Sequence, residues 1–112
     1  MSVKLTTRKN GEVTIIDASG KLTLGEGTGA LRTKIRELVD GGSKRIILNL
    51  ADVTYMDSSG LGALVSVYLS AKRQHCRLKL VNVGPRLQQL FRLTKLASVF
   101  EGHDDFLGWT PD

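Results

Sequence analysis

The run from Arg45 to Leu50, carrying Ile46, Ile47, Leu48 and Leu50, is short, nearly continuous in apolar residues, and soon followed by a change of period. A strand with one wet face alternates apolar and polar residues, whereas a strand covered on both faces reads as an almost unbroken apolar run. The run therefore predicts a strand buried in a parallel sheet. After Asp57 the apolar positions Leu61, Leu64, Val65 and Tyr68 recur at helical spacing through about Arg73. A strand that feeds a helix returns to a parallel sheet by a right-handed crossover, so this stretch alone excludes all-α and all-β folds.

The rest of the chain extends the same pattern. Val3 to Lys9 and Glu12 to Ser19 flank Asn10-Gly11, a dipeptide that readily takes positive φ at both turn positions, and predict a two-residue β-hairpin. From Thr28, Leu31, Ile35, Leu38 and Val39 mark a helix, with Gly41-Gly42 as its stop. Cys76 to Val83 alternates as a strand, Pro85 suits the first turn of a helix bearing Leu87, Leu90 and Phe91, and Val99-Phe100 marks a short last strand. The order ββαβαβαβ predicts an α/β fold: a mixed sheet with an N-terminal hairpin, later strands parallel, and helices packed on it. At 112 residues the chain is expected to be one domain, residues 1–112, with its core over about 3–100 and a short tail over 101–112. That tail holds Phe106, Leu107 and Trp109 beside the helix breakers Gly108 and Pro111.

Composition narrows the function. Sixteen basic against eleven acidic side chains leave a net charge of +5. Lys34, Lys44, Lys72, Arg77, Lys79 and Arg92 fall on different predicted elements, few aromatics are present to stack on bases, and no nucleic-acid motif appears, which argues against a nucleic-acid partner. The single cysteine, Cys76, excludes an internal disulfide and reads as a small core residue in a reducing compartment. No window approaches the ~18 apolar residues of a membrane span and the N-terminus has no apolar signal core, so a cytoplasmic chain without membrane insertion is expected. His75 and His103 have no carboxylates at ligand spacing and there is no cysteine pair, so neither metal nor cofactor is expected. Ser58-Ser59 lacks the flanking glycines of a hydrolase nucleophile elbow, so the chain is not read as an enzyme.

Two stretches remain as candidate sites. Gly25 to Ala30 satisfies G-x-G-x-x-A ahead of a helix, with Asp52 further on, and forms a rival reading as a nucleotide-binding module. Against it, Glu26 would sit beside a pyrophosphate, and the preceding run is broken by Gly20 and Lys21. Thr54-Tyr-Met-Asp-Ser-Ser-Gly-Leu-Gly62 is better specified. Asp57 or Ser58 can cap the helix that follows, but one cap explains only one of the three polar residues. Gly60 and Gly62 keep the first turns bare, so that another protein's backbone can approach. A phosphate on a serine here would meet free N–H groups and the positive end of the helix dipole while adding ~1.5 to 2 negative charges beside Asp57. The stretch reads as a phosphorylation switch.

The block Ile46-Ile-Leu-Asn-Leu-Ala-Asp-Val-Thr-Tyr-Met-Asp-Ser-Ser-Gly-Leu-Gly62, with Leu78 to Val83 and Leu90 to Leu96, resembles the anti-sigma factor antagonists of the STAS-domain family over about Val3 to Phe100. The resemblance implies that Ser58, directly after the aspartate, is the phosphorylated serine. It also implies two partners: an anti-sigma factor that is itself a serine kinase, bound by the unphosphorylated form so that a sigma factor is released, and a metal-dependent serine phosphatase that restores binding. Asp57, Ser58, Ser59, Gly60, Gly62 and Thr23 are then the partner-binding residues. Thr23 marks a departure, because family members usually carry an acid at that place in Gly-x-Leu-Asp, whereas this chain has Gly20-Lys-Leu-Thr23. STAS domains that serve as unphosphorylated scaffolds or in lipid transport form a further alternative.

Overall fold

The computed structural model describes residues 3–85, 88 and 89. Strand β1 (Val3–Asn10) pairs antiparallel with β2 (Val13–Leu22); helix α1 (Glu26–Asp40), strand β3 (Arg45–Met56), helix α2 (Ser58–Arg73) and strand β4 (Arg77–Val81) follow. The sheet order is β1-β2-β3-β4, with β2, β3 and β4 mutually parallel. This is the mixed α/β sheet with an N-terminal hairpin that the sequence predicts.

Three local details differ from the sequence reading. Asn10 pairs with Val13, so the hairpin turn is Gly11-Glu12, one residue later than predicted. Only Gly11 takes positive φ there (65°), and a turn with glycine first needs no second left-handed residue. Strand β2 does not break at Gly20-Lys21; it passes through two register shifts against β3, with Gly20 at φ 97°, and so reaches Leu22 as a bulged strand. Helix α1 starts at Glu26, two residues ahead of Thr28, behind the N-cap Gly25 (φ 97°). The Thr28 hydroxyl donates to the Gly25 carbonyl at 3.2 Å, fastening this first turn.

The core lies on one side of the sheet. Ile16, Leu48 and Leu80 are aligned across β2, β3 and β4 and have no exposed surface; Leu31 and Ile35 of α1 and Leu61, Leu64 and Ala71 of α2 close over this side. Strand β3 is therefore fully covered on one face only, not on both. Ile47, in register with Ile15 and Lys79, is half-buried on the opposite face. Strand order follows chain order, so successive right-handed crossovers put α1 and α2 on the same side. Cys76 is buried in the core as expected, and burial pushes its thiol above the ordinary range, a nearby Lys44 opposing the shift.

Both helices end in the same way. Ser43 N–H donates to Leu38 C=O at 3.0 Å and Gly42 N–H to Val39 C=O at 3.1 Å, a Schellman motif with Gly42 at φ 99°. At the end of α2, Cys76 N–H reaches Ala71 C=O at 2.9 Å and His75 N–H reaches Lys72 C=O at 3.1 Å, but the left-handed residue is His75, φ 61°. Pro85 begins a helical turn, with Gln88 N–H donating to Gly84 C=O at 3.0 Å. The predicted positions Leu87, Leu90, Phe91 and Val99-Phe100, together with Arg92, His103 and the tail, lie outside the described residues.

Candidate functional site

The parallel strands β2 and β3 end side by side, and the loops leaving them meet at the start of α2. Asp57 stands between β3 and α2 in extended conformation and is the N-cap. Its Oδ1 accepts the Gly60 N–H at 2.8 Å, and its carbonyl accepts the Leu61 N–H at 3.1 Å. Its Oδ2 accepts the Leu24 N–H at 3.4 Å, tying the β2–α1 loop to the α2 start. Of the two capping candidates it is thus Asp57 that caps, and Ser58 is left as the first helical residue with an exposed side chain. The backbone N–H groups of Ser58 and Ser59 make no hydrogen bond among the described residues. At a helix start, such groups carry the positive end of the dipole.

Much of the remainder of the motif is structural. Thr54 Oγ1 donates to Gly20 C=O at 3.2 Å, fixing the end of β3 to the bulge in β2. Val53 and Met56 pack against the core, and Leu61 has no exposed surface. Gly60 is buried, and its bareness serves the domain's own packing, not the approach of an outside backbone. A Cβ there would lie 2.7 Å from Met56 Cγ and closer still to the Leu22 carbonyl oxygen. Gly62, two residues further, is half-buried and has open space where a Cβ would go. Thr23 is half-buried in the β2–α1 loop next to Leu24, so the tether to Asp57 brings it to the site; its carbonyl accepts the Thr28 N–H at 3.2 Å.

Two flanking residues had no place in the sequence-based site. Leu24, 76% exposed, and Tyr55, 53% exposed, are the large apolar side chains that the described surface leaves in water. Leu24 carries the N–H bound by Asp57, and Tyr55 stands two residues before it. Tyr55 was readable as the one large residue in the motif that the strand pattern does not turn inward; Leu24 stands out only as an isolated apolar residue beside Gly25.

Within Gly25 to Ala30, Gly27 serves the fold. Gly27 is buried with its Cβ position 3.1 Å from the Lys21 carbonyl, so its role is close packing of α1 on β2. The parallel strands run in chain order with both helices on one side, so the described sheet has no topological switch point, where dinucleotide crevices form. Among the described residues no group of three or more His, Cys, Asp or Glu is placed to hold a metal, and no helix is long and apolar enough to cross a membrane.

The model of the STAS domain matches residues 4–106. The chain belongs to the STAS-domain family. It is similar to the anti-sigma-B factor antagonist of Bacillus subtilis strain 168, 32% identical over 101 residues, which cover 90% of this chain and 91% of that one. The anti-sigma-B factor antagonist of Listeria monocytogenes is 37% identical over a shorter stretch of 54 residues, 48% of this chain and 47% of that one. Among solved structures, the phosphorylated form of the Bacillus protein SpoIIAA superposes with a TM-score of 0.67 at 22% identity, covering 97% of this chain and 90% of that one. A protein of Thermotoga maritima superposes with a TM-score of 0.73 at 23% identity, covering 85% of this chain and 81% of that one. At those identities the superpositions speak for the STAS fold.

Proposed function

We propose that this STAS domain is an anti-sigma factor antagonist controlled by phosphorylation of Ser58. The unphosphorylated form binds an anti-sigma factor that is also a serine kinase, which frees a sigma factor; a metal-dependent serine phosphatase reverses the modification. The domain itself binds without catalysing, and it works in the cytoplasm, where such partners act. The observation that carries this reading is the placement of Ser58: exposed, first in α2, and directly after an Asp57 whose two carboxylate oxygens are engaged by backbone N–H groups. The names of the relatives support the same conclusion. Leu24 and Tyr55 supply apolar anchors beside the serine, the kind of side chain that dominates binding at the centre of an interface. Asp57, Ser59, Gly62 and Thr23 complete the partner-facing surface, while Gly60 shapes it from beneath. Because Thr23 is uncharged, the kinase has no carboxylate to contact at that position.

A phosphate on Ser58 would lie near the free N–H groups of Ser58 and Ser59, an interaction worth ~0.3 to 1 kcal/mol at an exposed helix start. The partner, by contrast, must seat this surface without room for a dianion, and a loss of ~3 kcal/mol weakens binding more than a hundredfold. Incubation with the kinase and ATP should place phosphate on Ser58 by mass spectrometry. Ser58→Ala should keep partner binding and Ser58→Asp should lose most of it. Phosphate confined to Ser59, or equal kinase affinity for the two variants, would sink the proposal.

A further inference from the structure

The face of the sheet turned away from α1 and α2 gathers charges that are scattered in the sequence. In β1 the residues opposite Leu5 in the pleat, Lys4, Thr6 and Arg8, share this face with Ile15 and Asp17 of β2; Arg45 and Ile47 of β3 and Arg77 and Lys79 of β4 continue it in register. The apolar floor of Val13, Ile15 and Ile47 is half-buried. A pocket of about 200 Å³ opens over it between Val13, Ile47, Arg45, Arg77 and Lys79. The two arginines are exposed and form no ion pair among the described residues, whereas Arg8 is paired with Asp17 at 2.7 Å. A volume of ~300 to 1,000 Å³ is usual for a small-molecule site, so this pocket suits a single large side chain better than a nucleotide or metabolite. The surface thus asks for an acidic segment with an apolar or aromatic anchor.

The chain contains such a segment. Glu101–Asp112 holds four of the eleven acidic residues, Glu101, Asp104, Asp105 and Asp112, and none of the sixteen lysines and arginines, together with Phe106, Leu107 and Trp109. We propose that Glu101–Asp112 docks on the face of its own sheet turned away from α1 and α2, an apolar side chain entering the pocket and its acids meeting Arg45 and Arg77. Reach is no obstacle: the fifteen residues from Gln89 to Asp104 can span ~50 Å when extended, against a longest molecular dimension of 34 Å. A tether of this kind supplies an effective concentration of order millimolar. Contacts too weak to hold a free peptide are then sufficient, which favours the chain's own segment over a separate acidic partner. Stacking of an arginine on Trp109 or Phe106 adds to the charge pairing.

Trp109 is the only tryptophan, so its fluorescence reports the docking directly in the full chain. Its emission should be blue-shifted against a synthetic peptide of residues 101–112. Arg45→Glu with Arg77→Glu should move it back toward the peptide value, and adding Asp104→Lys with Asp105→Lys to that double variant should restore the shift. Emission equal to that of the peptide, or unchanged by the arginine reversals, overturns the proposal. Zero-length carbodiimide crosslinking fixes the place and the copy number. Bonds from Asp104 or Asp105 to Lys79 or Lys4 within one chain are expected. Bonds only to Lys34 or Lys72 would put the segment on the helix side, and bonds between differently labelled copies would make a second chain the occupant; either result refutes the docking.

Discussion

Replacing Gly60 by alanine tests why the motif carries a glycine at that place. A Cβ on residue 60 would lie 2.7 Å from Met56 Cγ and closer to the Leu22 carbonyl oxygen. Met56 can rotate away, but the Leu22 oxygen belongs to the backbone at the end of β2 and moves only with the strand. Overpacking of this kind costs ~1 to 3 kcal/mol, and a backbone obstacle puts Gly60→Ala toward the upper end. Alanine returns ~1 kcal/mol of helix propensity, so the net loss is about 2 kcal/mol, or roughly 10 °C in Tm for a domain of this size. Gly62→Ala is the control, since nothing stands within 4 Å of its Cβ position. It should gain up to ~1 kcal/mol from propensity alone while weakening binding if Gly62 faces the partner. Thermal and urea unfolding of the two variants give the comparison. A Gly60→Ala protein as stable as the wild type would refute the packing argument and return the glycine to the role of admitting a partner's backbone.

Asp57→Ala removes the α2 cap and the tether to Leu24; it should cost about 1 kcal/mol and speed amide hydrogen exchange at Leu24 and Gly60, and unchanged exchange there would show that the carboxylate fastens neither. His75→Gly relieves a left-handed non-glycine residue and should stabilise by roughly 0.5 to 1 kcal/mol net of the added freedom of the unfolded chain, seen as a raised urea midpoint; a lowered midpoint contradicts the reasoning. The Asp17 carboxyl is held below its usual range by hydrogen bonds from Arg8 and Asn49, with desolvation opposing. Its folded value lies below the unfolded one, so the stability it contributes is fully present above the ordinary carboxylate range near pH ~4 and is lost as pH falls through the folded value. The stability gap between wild type and Asp17→Asn should therefore be widest at neutral pH and close in acid, and a gap that widens on acidification would reverse the sign of this assignment.

Element type and order were legible because period carries them: Leu61, Leu64, Val65 and Tyr68 read as a helix wherever the chain places them, and the apolar run from Ile46 to Leu50 reads as a strand. What the sequence misjudged depends on partners in space. The continuous run in β3 implied cover on two faces, but Ile47 only meets Ile15 and Lys79 in a half-open layer. Gly20 looked like a break because a glycine within a strand gives the same local signal for an end and for a bulge. At the site, Asp57 and Ser58 were recognisable as consecutive polar residues at a strand-to-helix junction, but which one caps is decided by the geometry of three backbone N–H groups. Gly60 is the clearest case: a residue with no side chain cannot announce whether its neighbour is an outside protein or its own Leu22.

The placement of Ser58 also bears on how the proposed switch at this site can work. The corner from β3 into α2 is held at several points at once: Thr54 to Gly20, Asp57 to both Leu24 and Gly60, and the bare Gly60 seated on Leu22 and Met56. Ser58 stands just outside that set, its side chain in water, and no described hydrogen bond of the corner passes through its hydroxyl. A phosphate added there displaces no buried atom and breaks no bond that fixes the corner. Repulsion from Asp57 is moderated because that carboxylate already accepts two backbone N–H groups, and the anion itself meets the dipole end of α2. The free energy of the modification is therefore available almost wholly at the interface, where Leu24 and Tyr55 would have to be covered beside a new double charge. Under the proposed function, phosphorylation at Ser58 would switch binding off while the fold beneath it stays the same.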